Sequence, residues 1–145
     1  MSFVENIKNY LGELKLKRTL KLSNRKKEFI NFDLVKNIGV IFEATNPDDF
    51  DEVKKIVQIL KEKKKLVKAV GFYDNKLTPE NLSYSKSDFD LFNLKELSAL
   101  REPSSPYIRT FIESPQDVLI DLNLKNKFPL RTIAIQSMAL FKIGI

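Results

Sequence analysis

The sequence predicts an α/β protein: a three-layer, open, mostly parallel sheet of four to five strands, preceded by an amphipathic amino-terminal helix. Three observations predict it. The stretch NIGVIFEATNPDDFDEVKKIVQILKEKKKLVKAVGFYDN reads as one β-α-β unit. DVLIDL is a second apolar run of strand length. SSPYIRTFIE and FPLRTIAIQSMAL carry apolar residues at helical spacing and alternate with the strand-like runs, the pattern of a sheet with helices packed on it.

Phe3, Ile7, Tyr10, Leu11 and Leu14 fall at i, i+4, i+7, i+8 and i+11, which predicts a helix from Phe3 to Leu16. Lys8, Lys15, Lys17, Arg18 and Lys21 decorate it, and Arg25, Lys26 and Lys27 follow. Such an arm can bind nucleic acid or anionic lipid. A solvated helix packed by its apolar stripe against the main domain explains the pattern better, because no aromatic interleaving suggests base stacking.

In the β-α-β unit, Ile38 to Glu43 is short, apolar and suited to a strand buried on both faces. Asn46 is the expected N-cap, with Pro47 at the first helical position and Asp48 and Asp49 in the first turn. Phe50, Val53, Val57 and Leu60 keep helical spacing, and Lys61, Lys63, Lys64 and Lys65 close the helix with the charge its dipole favours. Leu66 to Tyr73 is the second strand, parallel to the first. Asp74 to Ser87 is polar and turn-rich, a loop, and SDFDLFN holds a short third strand around Phe89 to Phe92.

Ser105 and Pro106 begin a helix that puts Tyr107, Ile108, Phe111 and Ile112 on one face, although RTFI also fits a strand. The four residues ESPQ are too short to link two parallel strands, which favours the helix. In DVLIDL, Val118, Ile120 and Leu122 should line one face and Leu119 and Asp121 the other. FPLRTIAIQSMAL follows as a buried helix carried by Leu130, Ile133, Ala134, Ser137 and Met138, and FKIGI is a last short strand. With no repeat and no low-complexity tract, one domain over 1–145 is expected, with a basic helix and linker over 1–27 and the sheet-and-helix core over 38–145.

Composition narrows the chemistry. The chain has no Cys, which excludes disulfides, thiolate nucleophiles, zinc fingers and iron–sulfur clusters. It has no His, which removes the usual general base and the commonest transition-metal ligand. Acid–base work would fall to Asp, Glu, Lys or Tyr, and an oxygen-ligand magnesium or calcium site stays open. The net charge of +6 sits almost wholly at the amino end: residues 1–37 hold nine Lys or Arg against four Asp or Glu. No run approaches the ~18 apolar residues of a membrane span, and the start of the chain, with Glu5 and Glu13, is no signal peptide, so a cytoplasmic location is expected.

The run DVLIDLNLKNKFPLRTIAIQSMALFKIG, with the earlier IGVIFEAT strand, resembles an uncharacterised bacterial family identified only as a domain of unknown function. The similar features are the early strand, the D-x-LIDL strand, the FPL helix start and the S-x-A-x-FK-x-G run, over residues 38–144. The resemblance implies a small α/β domain and supplies no activity. It also implies a further strand and helix after FK-x-G, and hence a sheet edge completed elsewhere.

Open parallel sheets bind ligands beyond the carboxyl ends of their strands. Those ends carry Glu43, Asp74 and Asp121, the candidate ligand-binding residues, with Asp90 in the third strand. Together they could hold magnesium or a basic ligand; separately, each can cap or complement the following helix. Gly12, Gly39, Gly71 and Gly144 are isolated, so no dinucleotide fingerprint or P-loop is present and no cofactor is expected. Ser137 and Lys142 lie close in sequence, but a nucleophile pair would need a deeply buried Lys, and Lys142 reads as a strand flank. The sequence as a whole reads as a flavodoxin-like or Toll/interleukin-receptor-like sheet serving as a non-catalytic interaction or accessory module, with a protein partner or a homodimer at the amino-terminal helix and an open sheet edge. The alternatives are a carboxylate-based small-molecule or magnesium site, enzymatic or binding, and nucleic-acid binding by the basic arm.

Overall fold

The structure, a computed structural model, describes residues 31–144. The helix expected from Phe3 to Leu16 lies outside the described residues. Five strands form one sheet: β1 (Asn37–Glu43), β2 (Leu66–Tyr73), β3 (Phe89–Asn93), β4 (Val118–Leu122) and β5 (Phe141–Gly144). All neighbours are parallel, in the order β3-β2-β1-β4-β5. Three helices connect them: α1 (Pro47–Glu62), α2 (Pro106–Glu113) and α3 (Phe128–Gln136).

The α/β class is the one the sequence predicts, but the strand order differs from the flavodoxin-like 2-1-3-4-5. The reason lies in residues 74–88. This connection contains no described helix and stays on the α1 side, where the Tyr84 ring lies 6.0 Å from that of Phe50. β3 is thereby laid beside β2. α2 then carries the chain across the opposite side of the sheet to β4, which places the topological switch point between β1 and β4.

Local chemistry explains the elements. Asn46 Oδ1 accepts from the N–H groups of Asp48 (2.9 Å) and Asp49 (3.3 Å), and Pro47 supplies the first helical position, so α1 starts where its cap dictates. Ser105 occupies the N-cap position of α2, yet its hydroxyl donates to Glu96 Oε1 (2.8 Å) instead of capping the first turn. α3 is shorter than its apolar spacing suggests. Ser137 ends it by accepting the Ala139 N–H (3.2 Å), and Met138 is exposed.

Two apolar layers bury the sheet. Ile38, Val40 and Phe42 of β1, Ala69 of β2, Phe89 of β3 and Val118 of β4 meet Phe50, Val53, Val57 and Leu60 of α1. Ile41, Val70, Phe72, Phe92 and Leu119 meet Ile108 and Phe111 of α2 and Leu130 and Ile133 of α3. β4 alternates as expected, Val118, Ile120 and Leu122 toward α1 and Leu119 toward α2 and α3. At the amino end, Asp117 Oδ2 accepts from the N–H groups of Lys36 (2.8 Å) and Asn37 (2.9 Å), fixing where β1 enters beside β4. Among the described residues, no helix is long and apolar enough to cross a membrane.

Candidate functional site at the carboxyl ends of β1 and β4

Beyond the carboxyl ends of β1 and β4 the structure holds a cleft of about 320 Å³. Phe42, Val53, Ile56, Leu122 and Leu124 give it an apolar interior, and Glu43, Asp49, Glu52 and Lys125 add charge. Its position follows from topology: at the switch point the connections leave in opposite directions, and the space between them stays open. Leu124, at the start of the β4–α3 loop, is 71% exposed and stands at the cleft as an apolar side chain in water.

The loop between β4 and α3 is tied at nearly every residue. Asp121 Oδ1 accepts the Asn123 N–H (2.9 Å), a turn closed by the side chain two residues back. Asn123 then brackets Lys127, accepting its N–H (2.8 Å) and donating to its carbonyl (2.9 Å). Lys125 Nζ lies 3.5 Å from Glu43, whose side chain is only 12% exposed. Lys127 Nζ donates to Asp74 Oδ2 at 2.6 Å, and the Asp74 N–H donates to Thr45 Oγ1 (2.8 Å) in the turn after β1. The hydrogen bond to Asp74 holds the Lys127 ammonium above its ordinary pKa; burial opposes this, and the charges of Asp74 and Glu43 add to it.

Of the three sequence candidates, the structure brings Glu43 and Asp74 to one loop, through neighbouring lysines. Asp121 lies level with Ile41 and Gly144 across the sheet, and its Oδ1 is engaged by its own turn. Asp90 pairs with Lys68 (3.1 Å) near the β3 edge, away from the cleft. Among the described residues, no group of three or more Asp or Glu side chains is placed to hold a metal ion. Lys142 Nζ donates to the carbonyls of Ala134 and Ile135 at the end of α3, and Ser137 Oγ accepts the Ala139 N–H.

Sequence reasoning did not single out Lys125 and Lys127. In LNLKNKFP they look like ordinary loop lysines, and only the fold shows that each faces a strand-end acid. Asp49, one of the acids expected in the first turn of α1, also lines the cleft, and Glu52 joins it there. A second hollow, about 220 Å³, opens at the amino ends of β1 and β2, where the buried Gln116 side chain lies over Gly39.

No curated protein and no solved structure matches the chain. One family model does, over residues 8–145, described as a family of unknown function (DUF6913). That match takes in nearly the whole sequence, β1 through β5 and the cleft between β1 and β4 included, and the chain is a member of the DUF6913 family.

Proposed function

We propose that this protein is a non-catalytic interaction module of the cytoplasm that binds a protein partner at the cleft between β1 and β4. The observation that carries the reading is the makeup of that cleft. Its interior is apolar, its rim has three carboxylates and one ammonium, and the strand-end acids Glu43, on that rim, and Asp74, outside its lining, are engaged with Lys125 and Lys127. Acids held in ion pairs serve poorly as a general base, whereas an apolar groove with an acidic rim suits a side chain of an apolar, basic segment. The lack of His and Cys in the sequence supports the same reading.

A site-specific photo-cross-linker at Leu124, compared with one at Ile59 on the outer side of α1, tests it in the cells that make the protein. The reading expects a discrete protein adduct from Leu124 and none from Ile59. Equal labelling from both positions, or none from Leu124, would contradict it.

The rival reading, a small-molecule or magnesium site on Glu43, Asp74 and Asp121, draws support from Glu43 lining the cleft and from Glu43 and Asp74 acting on the same lysine. It requires Asp121 to join them.

A further inference from the structure

Gly39 lies within β1, the central strand of the sheet, where a residue without a side chain weakens packing. Gln116 takes the space: a Cβ at position 39 would lie 2.5 Å from Gln116 Oε1 and 2.7 Å from its Nε2. Gln116 is 6% exposed. Its carboxamide is oriented by the bond from Nε2 to the Phe111 carbonyl (3.2 Å), which leaves Oε1 as the acceptor on the other side. Among the described residues nothing donates to Oε1. A buried carbonyl without a donor is a cost that folds seldom leave uncompensated. Here the side chain that carries it is part of the wall of the hollow of about 220 Å³ at the amino ends of β1 and β2.

The rest of that wall sets the chemistry of what the hollow takes. Leu66, Val67, Phe111 and Pro115 make much of it apolar. Lys68 is the one charged residue of the lining, and its ammonium is engaged: it lies 3.1 Å from Asp90 Oδ2 and donates to the carbonyls of Lys86 (3.3 Å) and Ser87 (3.4 Å). An anion would have to compete with Asp90 for it, and a cation would be repelled by it. Half-buried Asn37, two residues from Gly39 and on the same side of β1, adds a second carboxamide with both donors and an acceptor.

We propose that this hollow is a binding site for a small uncharged amide, whose N–H pairs with Gln116 Oε1 and whose carbonyl accepts from Asn37 Nδ2. Oε1 is closed to solvent, so the carboxamide turns slightly about its soft terminal torsion to meet the donor. The site stands at the opposite end of the sheet from the β1–β4 cleft and does not depend on the partner reading.

Pyrrolidinone and cyclopentanone are rings of equal size that differ in having N–H or CH₂ beside the carbonyl. An NMR titration of the isotope-labelled full chain with each of them tests the proposal. Pyrrolidinone should shift the Gln116 side-chain amide and the Gly39 N–H saturably, and cyclopentanone should bind at least ~10-fold more weakly. In Gln116→Met, which keeps the length of the side chain but has no carbonyl, the Gly39 resonance should report no preference between the two. Equal binding of both rings by the wild type, or no saturable shift from pyrrolidinone, overturns the proposal and leaves Oε1 to a water. A preference that survives Gln116→Met overturns it as well. The wild-type comparison decides the matter even where the Met variant fails to fold.

Discussion

Lys127 Nζ donates to Asp74 Oδ2 at 2.6 Å, joining the loop before α3 to the end of β2 across 53 positions of sequence. Both side chains are roughly a third exposed, so the pair is screened but not free in water. A double-mutant cycle with Asp74→Asn and Lys127→Met should give a coupling of about 0.5–1 kcal/mol in urea unfolding. Zero coupling would mean that the contact does not hold the loop.

Gly71 is the place where the α1-side layer of the core meets the backbone of β2. A Cβ there would lie 2.7 Å from Phe42 Cζ and 2.6 Å from Leu91 Cδ2. The Leu91 methyl can turn aside, but the Phe42 ring is hemmed in, its centroid 5.2 Å from that of Phe50 and 5.9 Å from that of Phe89. Gly71→Ala should therefore destabilise the fold by about 1–3 kcal/mol, as overpacking does, without altering the strand order. Chemical denaturation measures the loss, and an unchanged midpoint would show that the ring relocates freely.

Tyr107 and Glu96 fasten α2 to the end of β3. The phenol donates to Glu96 Oε1, which also accepts from the Ser105 hydroxyl, while Glu96 Oε2 takes the Asn93 N–H (2.9 Å). Burial first, then the hydrogen bond to Glu96, raises the phenol pKa above its ordinary value. Tyr107→Phe should cost about 1–2 kcal/mol at neutral pH. The fold holds the neutral phenol more strongly than the unfolded chain does. The wild type therefore loses this contribution as pH rises above about 10, and the gap to the variant narrows there. A gap that stays constant into the alkaline range would argue against the assigned cause.

Much of this architecture could be read from residues alone, for physical reasons. Asn46-Pro47 marks a helix start because cap and fixed φ act locally, and the two-residue alternation of DVLIDL assigns Ile120 and Leu119 to opposite faces whatever surrounds them. Strand order was not legible. It depends on which side of the sheet the helix-free connection 74–88 takes, a matter of Tyr84 meeting Phe50 rather than of any local pattern. The end of α3 was missed because apolar spacing continues through Met138 while the Ser137 hydroxyl diverts the backbone. At the site, Glu43 and Asp74 could be placed at strand ends, but their partners Lys125 and Lys127 come from a loop whose course the sequence leaves open.

The central claim is that the strand-end acids hold the β4–α3 loop and the cleft in shape rather than a ligand. Thermal unfolding of the full chain against magnesium concentration tests it most directly. A cation at ~100 times its dissociation constant adds about 2.7 kcal/mol, on the order of 10 °C in Tm for a chain of this size. The account predicts a flat Tm across the titration, the same for wild type and for Asp121→Asn. A saturating rise in Tm that disappears in Glu43→Gln and in Asp121→Asn would contradict it, and would give the site to a metal.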